Sequence, residues 1–340
     1  MNLKKKLLKI FYLFFDFKKK RKIFQETNKC KLLSSKSLIF LSNVINKDLR
    51  SSTKYFIYGG KDKTLNNFDV FYICSDALEN FNFFLKKTKK KFILISGDSD
   101  RTISSQMEIY KEILNNKKLK LWYAQNCVNP NKKIKQLPIG LDYISQFHDS
   151  HTFRLNIKNK NYLPLNYEKK LIKIINESKK FKQRSNLIYC NYHFSLYEGD
   201  REECFKVVDK NLCFFLEKKI PYLENFQKQT NFKFVLAPTG QGIDTHRVWE
   251  ALLLGNIPIV KSSPLDNLYQ NFPILIVKSW RDIDKSKLIN FENEYLKKSY
   301  NYEKLLLEYW RSKILNKNFQ KKKITKYEKF KKYLITSNYE

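Results

Sequence analysis

Short apolar runs alternate with longer mixed segments along most of the chain. A short run bounded by polar or turn residues is typical of a buried strand. In the first half the pattern predicts strands at residues 38–41, 55–58, 70–74, 92–96 and 121–124, and the end of a further strand within 137–142. A helical pattern occupies residues 104–119. Strands that alternate with helices indicate a parallel α/β layer.

A polar, lysine-rich stretch at residues 151–182 separates this series from a second one. It predicts a loop at 156–161 and a surface helix at 167–180. Beyond it, the pattern predicts a helix at 201–208 and strands at 186–190, 212–215, 232–237, 257–261 and 274–277. Two series of this kind predict two α/β lobes.

We therefore expect an α/β protein of two Rossmann-like lobes that face a cleft, with a C-terminal helical tail. The length of 340 residues is ample for two domains that each bury a core. The expected boundaries are 1–180 for the first lobe, 184–318 for the second lobe and 319–340 for the tail, which ends a charged helical stretch at 301–333.

The most informative segment, residues 234–260, predicts a strand, a glycine-rich loop, a helix, a turn and a strand. Gly240 and Gly242 are expected to adopt backbone angles closed to other residues and to let an anion approach the main chain. Asp244 is expected to be the N-cap of the helix. Gly255 fits the left-handed position that ends a helix.

Two charged residues, Arg247 and Glu250, are three positions apart, so they project from one face close to the helix start. A helix N-terminus favours phosphate, and arginine can bind a diphosphate through paired contacts. A glutamate one turn further can accept both hydroxyls of a ribose. The alternative is an intrahelical ion pair on a surface helix, worth about 0.3 to 0.5 kcal/mol.

The pattern GxGxxxHRxxEAxxxGxIPIV over residues 240–260 resembles the C-terminal signature of exostosin-type glycosyltransferases. The resemblance covers residues 231–283, and the rest of the chain only by architecture. It implies a two-lobed, GT-B-like fold that binds a nucleotide sugar as donor and a carbohydrate as acceptor, without an obligatory metal or cofactor. By this resemblance Arg247 would hold the diphosphate and Glu250 the ribose. His246 would bind sugar or phosphate, with a structural role as the alternative.

Three aspartates are candidates for the general base that deprotonates an acceptor hydroxyl. Asp98 and Asp100 follow the predicted strand at 92–96, and Asp142 follows the apolar stretch 137–141. Loops at strand ends are where ligands bind in α/β sheets. Asp98 and Asp100 also form a DxD element, so a metal-dependent glycosyltransferase is an alternative, because paired carboxylates suit Mg²⁺ or Mn²⁺.

Two residues of the second lobe are further candidates for donor binding. His193 comes shortly after the predicted strand 186–190, and Arg201 begins the next helix. Turn or capping roles are the alternatives for both.

The formal net charge of +33 raises nucleic-acid binding as a non-enzymatic alternative. Lysine supplies most of this charge, whereas nucleic-acid surfaces usually recruit arginine for paired contacts. The aromatic residues lie in strand-like patterns, and no nucleic-acid-binding motif is present. We therefore interpret the charge as a solvated lysine-rich surface and expect no nucleic-acid partner.

The six cysteines are scattered without CxxC spacing, which indicates buried thiols in a reducing, cytoplasmic compartment. Near the N-terminus an apolar run at residues 7–17 is flanked by lysines. It is shorter than the roughly 20 residues that cross a bilayer, but it suits an interfacial helix. The alternatives here are peripheral membrane contact and a surface helix that covers part of the fold.

Overall fold

Two five-stranded sheets form the framework of the protein. The computed structural model describes residues 25–42, 57–60, 68–143 and 163–316. The predicted N-terminal helix, the predicted loop at 156–161 and the predicted tail at 319–340 lie outside these ranges. We call each sheet, with the helices packed on it, a lobe.

The first sheet contains four parallel strands in sequence order, with an antiparallel strand at one edge. Its strands are β1 Ile57–Gly60, β2 Phe68–Cys74, β3 Lys91–Gly97, β4 Leu119–Ala124 and β5 Ile134–Gln136. The central strand β3 has the sequence KFILISG and is buried at every residue beyond its first. Burial on both faces explains why this strand is apolar almost throughout. Two helices of this lobe are α1 Leu78–Lys87 and α2 Glu108–Asn115.

The second sheet is parallel throughout, in the order β10-β9-β8-β6-β7. Its strands are β6 Ser185–Cys190, β7 Cys213–Phe215, β8 Phe232–Leu236, β9 Ile257–Lys261 and β10 Leu275–Val277. The chain leaves β6 for β7 on one side, and β8 lies on the other side of β6. This reversal makes the carboxyl ends of β6 and β8 a topological switch point, where α/β sheets open a crevice for ligands.

In the second half of the chain, helices alternate with the strands along the sequence. They are α3 Pro164–Glu177, α4 Arg201–Val207, α5 Tyr222–Gln229, α6 His246–Leu253, α7 Asp266–Tyr269, α8 Lys285–Tyr295 and α9 Leu307–Ile314. The predicted mixed α/β class with two parallel layers is confirmed, and this architecture is compatible with two Rossmann-like lobes.

Three local predictions for the first half need correction. Residues 38–41 lie in the 3₁₀ helix Ser37–Leu41, because their apolar side chains pack against α9 instead of joining a sheet. The predicted helix at 104–119 is limited to α2, since Met107 and Asn116 have extended backbone angles. The strand expected to end within 137–142 ends earlier, at Gln136.

Two helices tie the lobes together. Trp310 of α9 packs on the first sheet, in one apolar cluster with Ile93 and Tyr123. Tyr167 of α3 packs instead beside α5, with its ring centroid 6.2 Å from that of Phe226. The chain therefore crosses between the lobes before β6 and again before α9. The expected lobe boundaries stay predictions.

The C-terminal end of α6 is fixed by a glycine and an arginine. Gly255 has a φ of +71°, which confirms the left-handed position expected there. The buried Arg184 guanidinium donates 3.0 Å hydrogen bonds to the carbonyl oxygens of Leu254 and Gly255. These bonds satisfy two carbonyls that the helix itself leaves unpaired, so they hold α6 in place on its sheet.

All six cysteines are free thiols, and five of them are buried, which fits their interpretation as small apolar residues. None of the helices in the described ranges combines the length and the apolar content that a bilayer crossing requires.

We predict that Arg184→Met lowers the free energy of unfolding by about 2 to 4 kcal/mol, because it leaves buried carbonyls without a donor. Urea denaturation measures the change. Lys182→Met is the matched control, since Lys182 is an exposed cation two residues away, and we expect less than about 0.5 kcal/mol there. A value for Arg184→Met as small as that of the control would contradict this account of the helix end.

Candidate functional site

A cavity of about 550 Å³ lies where the carboxyl ends of the two sheets face each other. The first lobe contributes Asp100, Ile139 and Asp142 to its wall. The second lobe contributes the loops that follow β6, β7 and β8, together with the first turns of α5 and α6. Its volume falls within the range of about 300 to 1,000 Å³ that is usual for small-molecule sites. The cavity therefore occupies the switch point where the fold favours a ligand.

The glycines of the loop between β8 and α6 provide space, not unusual backbone angles. Neither Gly240 nor Gly242 has a positive φ, so the expectation about their angles is wrong. A Cβ atom at Gly242 would lie 3.1 Å from Asp100 Oδ1, and one at Gly240 would lie 2.9 Å from a terminal nitrogen of Arg201. At Gly242 the absence of a side chain lets the two lobes approach closely.

Asp244 connects the lobes and does not cap α6, so the predicted N-cap is wrong. The helix begins after Thr245, and the buried Asp244 carboxylate accepts hydrogen bonds from Ile139 N (2.7 Å) and Trp249 Nε1 (2.8 Å). The Asp244 backbone N–H donates to Asn126 Oδ1 at 2.9 Å. Burial raises the pKa of Asp244 to about 6, and these hydrogen bonds oppose the shift. The loop before α6 is thus anchored to the first lobe.

The start of α6 is open toward the cavity. No side chain among the described residues caps the helix, and the buried Thr245 hydroxyl has no hydrogen-bond partner there. Thr245, His246 and Arg247 all line the cavity. Because a helix N-terminus carries partial positive charge and unpaired amides, this end of α6 suits an anion.

Arg247 supplies a cation to the cavity without a carboxylate partner in the described part of the chain. Its Nε donates to Asn191 Oδ1 at 2.8 Å. Asn191 Nδ2 in turn donates to Asn225 Oδ1, which also accepts from Tyr189 OH. Burial, and secondly the charge of Arg201, lower the pKa of Arg247 to about 10. This network of neutral groups orients the guanidinium without neutralising its positive charge.

Glu250 lies one turn along α6 from Arg247 and lines the same cavity. Within the described ranges its carboxylate has no hydrogen-bond partner, and no ion pair joins it to Arg247. Burial raises its pKa to about 7, although the charges of His246 and Arg247 oppose this shift. The alternative of an intrahelical ion pair on a solvated surface is therefore wrong.

Most of the residues predicted for the site come together in this cavity. The predicted residues on its wall are Asp100, Asp142, Arg201, Gly240, Gly242, His246, Arg247 and Glu250. Asp98 and His193 are not on the wall.

Asp98 is engaged elsewhere in the first lobe. Its buried carboxylate forms an ion pair with Lys36, and its backbone N–H donates to Gln125 Oε1 at 2.8 Å. Burial raises the pKa of Asp98, and Lys36 opposes the shift. The ion pair with Lys36 occupies Asp98 Oδ2, so this oxygen is not available to a cation shared with Asp100. Across the described ranges, no group of three or more histidine, cysteine or acidic side chains is arranged to hold a metal ion.

His193 and Arg201 lie near the cavity in different settings. The ring of His193 packs among aromatic side chains, with its centroid 4.2 Å from that of Phe194. Burial lowers the pKa of His193. Arg201 reaches the cavity wall but forms an ion pair with Glu198, so its charge is compensated within the protein.

Several residues of the site were not predicted from the sequence. Asn191 directly follows β6, so its place at the switch point was a usable signal for the group that orients Arg247. Glu198 and Tyr222 lie on loops or early in a helix, where nothing in the pattern indicates that they face the cavity.

Neither protein-family models nor curated protein sequences give a match to this chain. The similarity of residues 240–260 to exostosin-type glycosyltransferases stays a prediction from the motif.

Proposed function

We propose that the chain is a GT-B-like glycosyltransferase that moves a sugar from a nucleotide diphosphate to a carbohydrate hydroxyl. One observation carries the proposal. The open start of α6, an arginine without a carboxylate partner and an unpaired glutamate share one cavity at the switch point of the second sheet. These are the complementary groups for a diphosphate joined to a ribose.

The diphosphate belongs at the start of α6 beside Arg247. Negative charge grows on the leaving nucleoside diphosphate as the bond to the sugar breaks. A cation and helix amides that are already in place stabilise that charge without reorganisation. Because Asn191 accepts from Arg247 Nε, both terminal nitrogens of the guanidinium can make paired contacts with phosphate oxygens.

The ribose fits beside Glu250, and the nucleobase fits against an apolar part of the cavity wall. Side chains three positions apart on a helix are neighbours, at about 5 to 6 Å between Cβ atoms, which suits a ribose next to its phosphate. The ionised Glu250 can accept from both ribose hydroxyls. Phe194, Leu216 and Ile220 give the cavity an apolar wall that suits a nucleobase.

The acceptor belongs on the side of the first lobe. Asp100 and Asp142 project from strand-end loops into the cavity opposite α6. Burial raises the pKa of Asp100, and the charge of His246 opposes this shift. Carboxylates in this position can accept hydrogen bonds from sugar hydroxyls, so each lobe would bind one substrate.

We predict that a nucleotide sugar raises the thermal midpoint of the wild type, because a ligand that binds only the native state stabilises it. Arg247→Ala or Glu250→Ala should weaken this binding by about 30- to 100-fold, which corresponds to the loss of charged hydrogen bonds. Thermal-shift titrations with a panel of nucleotide sugars measure the effect. Arg281→Ala and Glu294→Ala remove exposed charges of the same types and serve as matched controls.

Two results would contradict this prediction. One is sugar transfer at the wild-type rate in both cavity variants. The other is a wild type that no nucleotide sugar stabilises but that binds oligonucleotides with a steep salt dependence, which is the behaviour of a nucleic-acid-binding protein.

Donor binding should also depend on pH through Glu250. The pKa of Glu250 is raised to about 7 in the protein alone, and the ionised form is the one that accepts from ribose. Below this value binding must release a proton, so affinity falls as the pH falls. We expect a loss of about five- to tenfold from pH 8 to pH 6 in the wild type and none of this component in Glu250→Gln. Calorimetric titration of both proteins at the two pH values would contradict the assignment if their losses were equal.

A chelator distinguishes the proposed reaction from its metal-dependent alternative. Because Asp98 is paired with Lys36, we expect no metal to be held between Asp98 and Asp100. Sugar transfer should therefore continue after treatment with EDTA and extensive dialysis. Loss of activity that Mn²⁺ or Mg²⁺ restores would favour the metal-dependent enzyme.

A further inference from the structure

His246 is held in one tautomer by a contact between the lobes. Its Nδ1 lies 2.7 Å from the carbonyl oxygen of Gly140. Since a carbonyl oxygen can only accept a hydrogen bond, Nδ1 must carry the hydrogen. In the neutral ring the lone pair is then on Nε2.

The Gly140 carbonyl is a fixed acceptor. Gly140 has a φ of +68°, and a Cβ atom at this position would lie 2.5 Å from the carbonyl oxygen of Leu33. The next residue, Leu141, donates its N–H to that same oxygen at 2.9 Å. Only glycine satisfies both the backbone angle and the close approach, so the turn that presents the carbonyl is well determined.

The other ring nitrogen of His246 is available to a ligand. His246 is half-buried and lines the cavity, and Nε2 has no hydrogen-bond partner in the described part of the chain. Asp100 of the first lobe and Glu250 on α6 both interact electrostatically with the ring, as does the buried Asp244.

We infer that His246 Nε2 is the general base of the reaction, an inference that rests on the proposed function. Nε2 takes the proton of the acceptor hydroxyl, and the oxygen forms the new bond to the anomeric carbon. The bond from that carbon to the diphosphate oxygen breaks, and its electron pair leaves with the nucleoside diphosphate. The imidazolium returns its proton to solvent.

The neighbouring groups support this assignment over Asp98 and Asp100, two of the three aspartates considered above. Asp98 is off the cavity and paired with Lys36. Asp100 is close enough to stabilise the imidazolium that forms when the proton moves, so it would act through His246. This arrangement of a base oriented by one partner and stabilised by another recurs in acid–base catalysis.

The decisive variant is His246→Asn, because the asparagine amide can donate to Gly140 from the position of Nδ1 but lacks the base. We expect release of nucleoside diphosphate, with water or sugar as acceptor, to slow by about 100- to 10,000-fold. Affinity for the nucleotide sugar should change by less than about threefold. The bond to Gly140 is preserved, and the missing base acts only in the transition state. Free imidazole should restore activity to His246→Gly but not to Arg247→Ala.

A measurement on the wild type keeps the inference testable if these variants fold poorly. Nitrogen-15 chemical shifts of the histidine ring should show a protonated Nδ1 and an unprotonated Nε2, and the opposite tautomer would overturn the inference. Turnover of His246→Asn within about threefold of the wild type would also overturn it. In both cases donor binding by the wild type would leave the proposed function standing, whereas a wild type that neither binds nor cleaves nucleotide sugars would defeat both.

Discussion

The buried carboxylate of Asp244 is the contact on which the cavity depends. It accepts from a backbone amide of the first lobe and from the indole of Trp249 on α6, so it fixes the start of that helix against the opposite sheet. Two further hydrogen bonds, from the Asp244 N–H to Asn126 Oδ1 and from His246 Nδ1 to the Gly140 carbonyl, reinforce this junction on either side. Burying a carboxylate costs free energy unless donors surround it, and here two donors from different lobes do so. The lobes are thus held at a defined separation, which gives the cavity its shape.

The cavity contains charged side chains that lack partners of opposite charge at ion-pair distance in the described ranges. Arg247 has no carboxylate partner and Glu250 has no hydrogen-bond partner within the described ranges, and burial shifts both pKa values toward the neutral forms. In the described part of the chain Glu250 gains no hydrogen bond to offset its lost solvation, and Arg247 gains the one to Asn191. A ligand that offers phosphate to the arginine and hydroxyls to the glutamate would supply both partners. Strongly shifted groups that converge in a crevice are the usual mark of a functional site.

Much of the fold could be predicted from periodicity, because β3, β8 and β9 are buried strands bounded by clear turn residues. The helix end at Gly255 could also be predicted, since its left-handed conformation is a local property. Asp244 could not, because its hydrogen bonds join residues more than 100 positions apart. The same holds for Asp98, whose sequence context suits a site but whose carboxylate is paired with Lys36. Local patterns identified the helix that carries the site, and tertiary contacts decided which acids reach it.

The central claim is that α6, Arg247 and Glu250 together bind a nucleoside diphosphate. A crystal structure of the protein with a bound nucleoside diphosphate tests it most directly. The account predicts phosphate oxygens within hydrogen-bond distance of the Arg247 guanidinium and the first amides of α6, with the ribose hydroxyls on Glu250. A nucleotide bound outside this cavity, or bound inside it with neither side chain in contact, would contradict the account.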